Sequence, residues 1–346
     1  MTIAEVPLIS VCIPVFNGEN YIRECIDSVL RQTEGNFELI VADNCSTDRT
    51  LEIVGSFRDP RIRVVRSESN IGSINNFNKC IQLSKGKYFI LLPHDDILLP
   101  TALYTFSRPL IEDSKIGLAY SSYYTIDAAG KRIGFRMIAS DDRVLSGEEA
   151  IGECIIHGSP IQCAMVRAKL FSRLGSFDKD LFVWCDVDLW CRIFLDGNKA
   201  AYFKTPQNCV RIHPEQGQRA FLKRDKDNVR ILSDHLGELG DSVLIKNDSY
   251  HTLVFKNIQK LFNKIPADSD LQKLRPLSSR WIVGAQVKDL LISLKLGNWA
   301  SVRQDIGLIV KFFKWAGFFR TIPVLLSMPL EMIIRSGKNL ISQKSL

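Results

Sequence analysis

The sequence predicts an α/β protein, with a predominantly parallel sheet flanked by helices and a helical C-terminal extension. Over the first hundred residues, short apolar segments typical of buried strands alternate with segments whose apolar residues recur at helical spacing. This alternation favours parallel strands, because a parallel pair needs a long crossover connection that is usually a helix. Beyond about residue 220 the strand signals disappear, and the pattern indicates helices.

The elements of the first hundred residues follow in order. Predicted strands are "LISVCIPVF", "FELIVADN", "RIRVVRS" and "KYFILL". Between them we predict the helices "ENYIRECIDSVLRQ", "DRTLEIVGSF" and "SINNFNKCIQLSKG". The first of these helices has one apolar face, formed by Ile22, Ile26, Val29 and Leu30.

From about residue 115 to 215 the pattern indicates a mixed extension of the sheet. Shorter strands are predicted at "IGLAYSSYYTI", "IQCAMV", "KAAYFK" and "CVRIH". A helix is predicted at "DVDLWCRIFLDG", which Gly197 closes. We therefore predict two regions, a sheet-based domain over 1–219 and a helical C-terminal region over 220–346.

The charge is distributed unevenly between these two regions. Residues 220–346 hold 20 Lys+Arg and 11 Asp+Glu, a net charge of +9. Residues 1–219 hold 25 Lys+Arg and 27 Asp+Glu, a net charge of −2. A basic C-terminal region indicates an anionic partner, for which a membrane surface and a nucleic acid are the two candidates.

The segment 299–334 favours the membrane surface. It is rich in aromatic and aliphatic residues but interrupted by charges and by Pro323 and Pro329, so it has no run of about 20 apolar residues that could span a bilayer. Such a segment fits an interfacial helix on an anionic leaflet. The alternative is an amphipathic helix packed on the first domain or on a second subunit, which leaves a homo-oligomer open. Nucleic-acid binding is disfavoured, because the positive charge is mixed with large apolar side chains.

Cysteine usage predicts a cytoplasmic protein. The nine cysteines are odd in number and show no C-x-x-C pair, and the N-terminus has no basic region of the kind that begins a signal peptide. We expect reduced thiols.

Polar side chains follow several predicted strands. Asn17, Asp43 and Asp95 each come just beyond a strand, and ligands of parallel sheets bind at the carboxyl ends of the strands. In "YFILLPHDDILLP", a buried strand ends in adjacent carboxylates, which is costly unless something cationic lies at its tip. Taken alone, the pair is also compatible with a solvated strand end at which Asp96 caps a helix.

Five segments in order carry a family resemblance: "IPVFNGENYIRECIDSVLRQT", "ELIVADNCSTDRT", "SNIGSINNFNKCI", "YFILLPHDDIL" and "GSFDKDLFVWCDVDLWCRI". Over residues 7 to about 215 the series resembles the family 2 glycosyltransferases. These are inverting enzymes of the Rossmann-like GT-A fold that use nucleotide-diphosphate sugars. The resemblance implies a nucleotide pocket lined by Pro14, Phe16, Asn17, Glu19, Asp43, Asn70 and Gly72. In it Asp43 would accept a hydrogen bond from the base.

The resemblance also implies a metal site and a catalytic base. Asp95 matches the second carboxylate of the family's D-x-D metal motif, and His213 matches a residue that reaches the metal or diphosphate in some members; a structural role for His213 is the alternative. The implied cofactor is a divalent cation, Mg²⁺ or Mn²⁺, which suits oxygen-rich sites. Asp186 matches the catalytic base, and we expect Asp188 to support it.

Two positions depart from the family pattern. Pro93 stands where the family has the first Asp of the metal motif, so Asp95 would hold the ion with the donor phosphates, water and His213. Cys185 stands where the family has a Glu before the base, a residue often linked to acceptor binding.

These residues predict a metal-assisted inverting glycosyltransferase with a nucleotide-diphospho-sugar donor and a saccharide or lipid-linked acceptor. We expect it to act in cell-surface polysaccharide or lipid-linked oligosaccharide assembly, as a peripheral protein at the inner face of the cell membrane. The alternative is a non-catalytic glycosyltransferase-like nucleotide-binding module of a polysaccharide assembly complex. A nucleotidyltransferase is disfavoured, because "PVFNGENY" lacks a Gly-rich basic signature.

Overall fold

The computed structural model describes residues 6–157, 161, 163–179, 185–213, 223–225, 228–230, 244–245 and 263. Its first four strands are β1 (Ile9–Val15), β2 (Phe37–Asp43), β3 (Ile62–Arg66) and β4 (Tyr88–Leu91). The helices between them are α1 (Ile22–Leu30), α2 (Thr50–Gly55) and α3 (Ser73–Leu83). All seven lie within the segments in which the sequence predicts them.

The second half of the sheet domain contains more elements than the sequence predicts. In chain order these are β5 (Ile97–Leu98), α4 (Ala102–Glu112), β6 (Ile116–Ile126), β7 (Arg132–Arg136), β8 (Arg143–Leu145), α5 (Gly147–His157), β9 (Met165–Arg167), α6 (Lys169–Leu174), α7 (Cys185–Leu195) and β10 (Lys199–Arg211). The two strands predicted near residue 205 are one strand, β10, with a register irregularity between Phe203 and Asn208.

The strands form one mixed sheet in the order β3-β2-β1-β4-β9-β6-β10-β5, with β7 beside β6 and β8 beside β10. Strands β1 to β4 pair in parallel with one another, and β6 pairs in parallel with β10. Strand β9 runs antiparallel to both β4 and β6, so β4, β6 and β10 point in the same direction. The predicted α/β fold class and its mixed extension are confirmed.

The centre of the sheet is buried on both faces. All seven residues of β1 are buried, as expected of a central parallel strand covered by helices on either side. Helix α1 packs its predicted face inward: Ile22, Ile26 and Val29 are fully buried, and Leu30 packs on the same core. Because β1 pairs in parallel with β2 and with β4, the loops after these three strands leave the sheet at the same edge.

Three short strands follow the sheet domain. Strands β11 (Lys223–Asp225), β12 (Asn228–Arg230) and β13 (Leu244–Ile245) form a sheet of their own. The sequence predicts helices there, and it misses these strands because each has only two or three residues. The predicted segment 299–334 lies outside the described residues, and the boundary at residue 219 stays a prediction. Within the described part of the chain, none of the helices combines the length and the apolar character needed to cross a membrane.

Gly86 is required by the close approach of two backbone segments. A Cβ at this position would lie 2.5 Å from the Ser10 nitrogen and 2.7 Å from the Ile9 carbonyl carbon. Both are backbone atoms of β1, so neither can move without disturbing the central strand. We expect Gly86→Ala to lower the free energy of unfolding by about 2 kcal/mol or more, measured by urea denaturation.

The matched control is Gly35→Ala. A Cβ at Gly35 would meet no atom within 4 Å, and its backbone is not left-handed. We expect this variant to lie within about 0.5 kcal/mol of the wild type. Equal destabilisation by the two substitutions would contradict the packing argument.

Candidate functional site

Two predicted site residues meet at the carboxyl edge of the sheet. Asp95 follows β4 and His213 follows β10, and the structure places His213 Nε2 3.0 Å from Asp95 Oδ2. The two are 118 positions apart in the chain. Strands β4 and β10 point the same way, so their following loops reach the same edge. Both side chains are buried, and the His213 ring lies 4.7 Å from the ring of Tyr21.

Asp95 and Asp96 are buried side by side but differ in their electrostatics. Burial works to raise the pKa of Asp95, yet the hydrogen bond from His213 and the charge of His94 outweigh it, and the pKa is lowered. For Asp96, burial and then the charge of Asp95 raise the pKa well above its ordinary value. Asp96 Oδ1 accepts a hydrogen bond from the Arg211 backbone N–H at 2.9 Å. Asp95 is therefore the more readily ionised of the two.

Sequence reasoning missed the cation beside these carboxylates. Arg211 is 1% exposed, and its Nε donates to the Asp95 carbonyl oxygen at 2.8 Å. Its Nη2 donates to Glu24 Oε2 on α1 at 2.6 Å, and the guanidinium lies over the ring of Tyr21. The available signal was local: Arg211 is two residues before the predicted His213 in "VRIHP".

The loop after β1 is joined to the loop after β2 by side-chain to backbone hydrogen bonds. The Asn17 N–H donates to Ser46 Oγ, and Asn17 Oδ1 accepts from the Thr47 N–H, both at 2.9 Å. Glu19 Oε2 accepts from the Arg49 N–H at 2.9 Å. Both predicted residues, Asn17 and Glu19, are exposed, so each also presents surface at this edge of the sheet.

A second set of hydrogen bonds joins the loop after β2 to the turn before α3. Asn44 Nδ2 donates to Asn70 Oδ1 at 2.7 Å, and Asn44 Oδ1 accepts from the Ile71 N–H at 2.9 Å. Gly72 has φ +82° and ψ 158°, a combination that residues other than glycine rarely adopt. The structure thus brings Asn70 and Gly72 to the same loop cluster as Asn17 and Glu19.

The other predicted nucleotide contacts are less accessible. Asp43 has no exposed surface; its carboxylate accepts from the Ser46 N–H and lies 3.5 Å from Arg66 Nε. Pro14 is buried within β1, and Phe16 is half-buried. Arg66, half-exposed, is the group that this part of the cluster presents to solvent, and sequence reasoning did not single it out.

Helix α7 carries Asp186, the predicted base, and Asp188, which is predicted to support it, in different surroundings. Asp188 is buried and forms an ion pair with Arg192 one turn later, with Oδ2 and Nε 2.8 Å apart. Arg192 also donates to the carbonyl oxygens of Leu174 and Ser176, so Asp188 belongs to a structural network. Asp186 is half-buried at the helix N-terminus, and its Oδ1 accepts from the Val187 N–H. The helix N-terminus favours an ionised carboxylate at this position.

The two departures from the family pattern have local roles. The exposed Pro93 begins a turn in which its carbonyl oxygen accepts from the Asp96 N–H at 3.1 Å. Cys185 is buried, and this burial raises the pKa of its thiol far above the ordinary range. Cys185, which stands where the family has a glutamate, therefore places no charge beside Asp186 at neutral pH.

Asp95 and His213 fit the requirements for holding a divalent ion together with a ligand. Their facing atoms are hydrogen-bonded at 3.0 Å, and the same separation, about 3.0 Å, suits adjacent ligands of an octahedral ion with bonds of about 2.1 Å once Nε2 is unprotonated. Within the described residues, no group of three His, Cys, Asp or Glu side chains is placed to bind a metal. An ion here would thus need further ligands, which a diphosphate can supply.

Comparison with known proteins identifies relatives of the chain. Residues 10–175 match the model of glycosyl transferase family 2. An uncharacterized glycosyltransferase of Rickettsia prowazekii (strain Madrid E) is 34% identical over 323 residues, 89% of this chain and 96% of that protein. Hyaluronan synthase of Pasteurella multocida is 33% identical over 133 residues, 38% of this chain and 14% of the synthase. The chain spans only 42% to 49% of three other rickettsial glycosyltransferases.

The fold is similar to that of S. aureus TarS. The structure of TarS 1-349 in complex with UDP-GlcNAc superposes with a TM-score of 0.61 at 17% sequence identity. The match covers 88% of this chain and 80% of the TarS chain. At this identity the likeness establishes the shared fold.

The raised pKa of Asp96 predicts a pH-dependent effect of its removal. A carboxyl whose pKa is raised in the folded state destabilises the protein increasingly as the pH rises above its pKa in the unfolded chain, which is about 4. The amide introduced by Asp96→Asn would still accept the Arg211 N–H but could not ionise. We therefore expect the free energy of unfolding of Asp96→Asn, relative to wild type, to increase from pH 4 towards pH 7 in urea denaturation.

The exposed carboxylate of Glu112 is the control for this experiment. It pairs with Arg108 at the surface, so Glu112→Gln should change stability by less than about 0.5 kcal/mol at either pH. A relative stability of Asp96→Asn that is constant with pH would mean that folding does not shift the pKa of Asp96, and one that falls would mean that folding lowers it; either would contradict the raised pKa.

Proposed function

The chain belongs to glycosyl transferase family 2, and on that premise we propose that it transfers a sugar from a nucleotide-diphosphate donor to a hydroxyl acceptor with inversion. The observation that carries the proposal is the meeting of Asp95 and His213 at 3.0 Å. It puts a carboxylate and an imidazole from distant segments at the strand ends, beside the loops that carry Asn17 and Asn70.

Asp95 and His213 would hold a divalent ion, Mg²⁺ or Mn²⁺. When bound, such an ion supplies charge neutralisation to the diphosphate leaving group. The lowered pKa of Asp95 keeps its carboxylate ionised at neutral pH. An ionised Asp95 can only accept from the Nε2–H of His213, so ligation of a metal by Nε2 requires the other tautomer, in which this hydrogen bond is given up.

Asp186 would act as the general base. In the displacement, the acceptor oxygen forms a bond to the anomeric carbon while the bond from that carbon to the diphosphate oxygen breaks. The proton of the acceptor hydroxyl passes to the Asp186 carboxylate, and the electron pair leaves with the diphosphate. We assign this role to Asp186 because the carboxylate of Asp188 is paired with Arg192.

The two joined loops would bind the nucleotide. The family resemblance places the nucleoside at the carboxyl ends of β1 to β3. The predicted pocket residues in the loops there are Asn17, Glu19, Asn70 and Gly72. Asp43 would contribute through Arg66 and Ser46 rather than by direct contact, because its side chain has no exposed surface. Pro14 and Phe16, buried and half-buried, would hold the loop after β1 in place.

The relatives support a class of substrate. The structure of TarS 1-349 has been determined in complex with UDP-GlcNAc, and one relative is named a hyaluronan synthase. We therefore propose a uridine-diphosphate sugar as donor and a saccharide or lipid-linked acceptor in polysaccharide assembly. Peripheral contact with the cytoplasmic face of the membrane through the basic C-terminal region remains part of the proposal.

Binding of the donor nucleotide tests the site. We would titrate a panel of nucleotide diphosphates by calorimetry, with and without Mn²⁺, into wild type and Asp95→Ala. The expected result is binding of one base that weakens at least about tenfold when either Mn²⁺ or the Asp95 carboxylate is removed. Absence of binding to any nucleotide would contradict a donor site at this edge of the sheet.

Separate substitutions on α7 test the chemistry. We expect Asp186→Asn to reduce transfer and donor hydrolysis by at least about 1,000-fold while nucleotide affinity and the unfolding midpoint stay near wild type. Asp188→Asn should instead lower the free energy of unfolding by about 1–3 kcal/mol, since it leaves the Arg192 network without its carboxylate. Wild type that binds the nucleotide but never hydrolyses a donor sugar would favour the non-catalytic module.

A further inference from the structure

We propose that Arg211 is the positioning residue that holds Asp95 and His213 in register for the cation of the donor complex, with Glu24 as its anchor. This inference rests on the proposed function, in which Asp95 and His213 hold that cation. It assigns roles to two residues that neither the family motifs nor the charge pattern of the sequence identifies.

The guanidinium of Arg211 donates hydrogen bonds through all three of its nitrogens. Nε donates to the Asp95 carbonyl oxygen at 2.8 Å, and Nη1 donates to the carbonyl oxygens of Asp127 and Ala128 at 3.2 Å each. Nη2 donates to Glu24 Oε2 at 2.6 Å. These four bonds diverge in the plane of one group, which a lysine ammonium cannot reproduce.

The backbone of the same residue holds the second carboxylate. The Arg211 N–H donates to Asp96 Oδ1 at 2.9 Å, while its side chain holds the carbonyl of Asp95. Two successive residues of the loop after β4, Asp95 and Asp96, are therefore hydrogen-bonded to Arg211 at the end of β10. His213 is two positions further on, just beyond the end of β10.

Tyr21 completes the link between the arginine and the histidine. The Arg211 guanidinium carbon lies 4.7 Å from the centre of the Tyr21 ring, and the His213 ring centre also lies 4.7 Å from it. One aromatic side chain of the loop before α1 thus packs on both groups. A change at Arg211 would be transmitted to His213 through this ring as well as along the strand.

Burial and charge explain why the residue is an arginine. Arg211 is 1% exposed and contacts two carboxylates, that of Glu24 through its guanidinium and that of Asp96 through its backbone N–H. A buried cation is tolerated only when it is paired and hydrogen-bonded, and here the guanidinium pairs with the Glu24 carboxylate and donates to the Asp95, Asp127 and Ala128 carbonyl oxygens. Glu24 is about half exposed, so it closes the network at the rim and can be altered with less disturbance of the core.

The experiment compares Arg211→Lys with a matched arginine elsewhere. Arg167 on β9 also donates to several backbone carbonyls, those of Leu110, Asp113 and Ile116, and these acceptors lie outside the proposed site. We would measure Mn²⁺ binding by electron paramagnetic resonance in the presence of uridine diphosphate for wild type, Arg211→Lys and Arg167→Lys. Urea denaturation would report the stability of each variant.

We expect Arg211→Lys to weaken Mn²⁺ binding at least about tenfold, and Arg167→Lys to leave it within about twofold at a comparable loss of stability. Glu24→Gln, which keeps the shape of the anchor, should weaken it about threefold and serves as the test if Arg211→Lys does not fold. Unchanged Mn²⁺ binding in a folded Arg211→Lys or in Glu24→Gln, or an equal effect of Arg167→Lys, would overturn the inference alone. Wild type that binds uridine diphosphate without Mn²⁺ would overturn it together with the metal-dependent part of the proposed function.

Discussion

The burial of two adjacent carboxylates at the end of β4 is the constraint on which the rest of the site depends. Asp95 and Asp96 lie where water cannot solvate them fully, and such groups persist only when hydrogen bonds or cations compensate them. The compensation comes from the end of β10 and the residues after it: the Arg211 backbone N–H donates to the Asp96 carboxylate, and His213 is hydrogen-bonded to the Asp95 carboxylate. The same contacts that make the burial tolerable also set the direction of the Asp95 carboxylate, so folding and function share one network.

In the loops at the other strand ends, short polar side chains form hydrogen bonds with backbone groups. A loop without regular structure leaves backbone N–H groups without partners, and each buried one is costly. Asn17 and Asn44 accept from the N–H groups of a neighbouring loop, and Asn76 on α3 donates to the carbonyl oxygen of Ala42. These bonds hold irregular segments at fixed positions relative to the sheet, which a binding pocket for a nucleotide requires.

Helix geometry divides the work between the two acids of α7. Residues four apart on a helix lie on one face, which lets Asp188 pair with Arg192. Residues two apart do not share a face, so Asp186 is excluded from that pair. A carboxylate at a helix N-terminus is stabilised in its ionised form, and the proposed base occupies such a position. A single helix can therefore supply both a structural ion pair and a base.

The sequence by itself determined the alternation of strands and helices, the sheet edge to which Asn17 and Asp95 belong, and the family. These follow from local periodicity and from motifs in a fixed order, which do not depend on distant contacts. The tertiary structure alone decided the partners: Arg211 and Glu24 pair across 187 positions, and Asp43 turned out to be enclosed. Short edge strands such as β5 and β8 were also missed. Each is defined by pairing with a distant strand, and a few residues carry too little periodicity to reveal it.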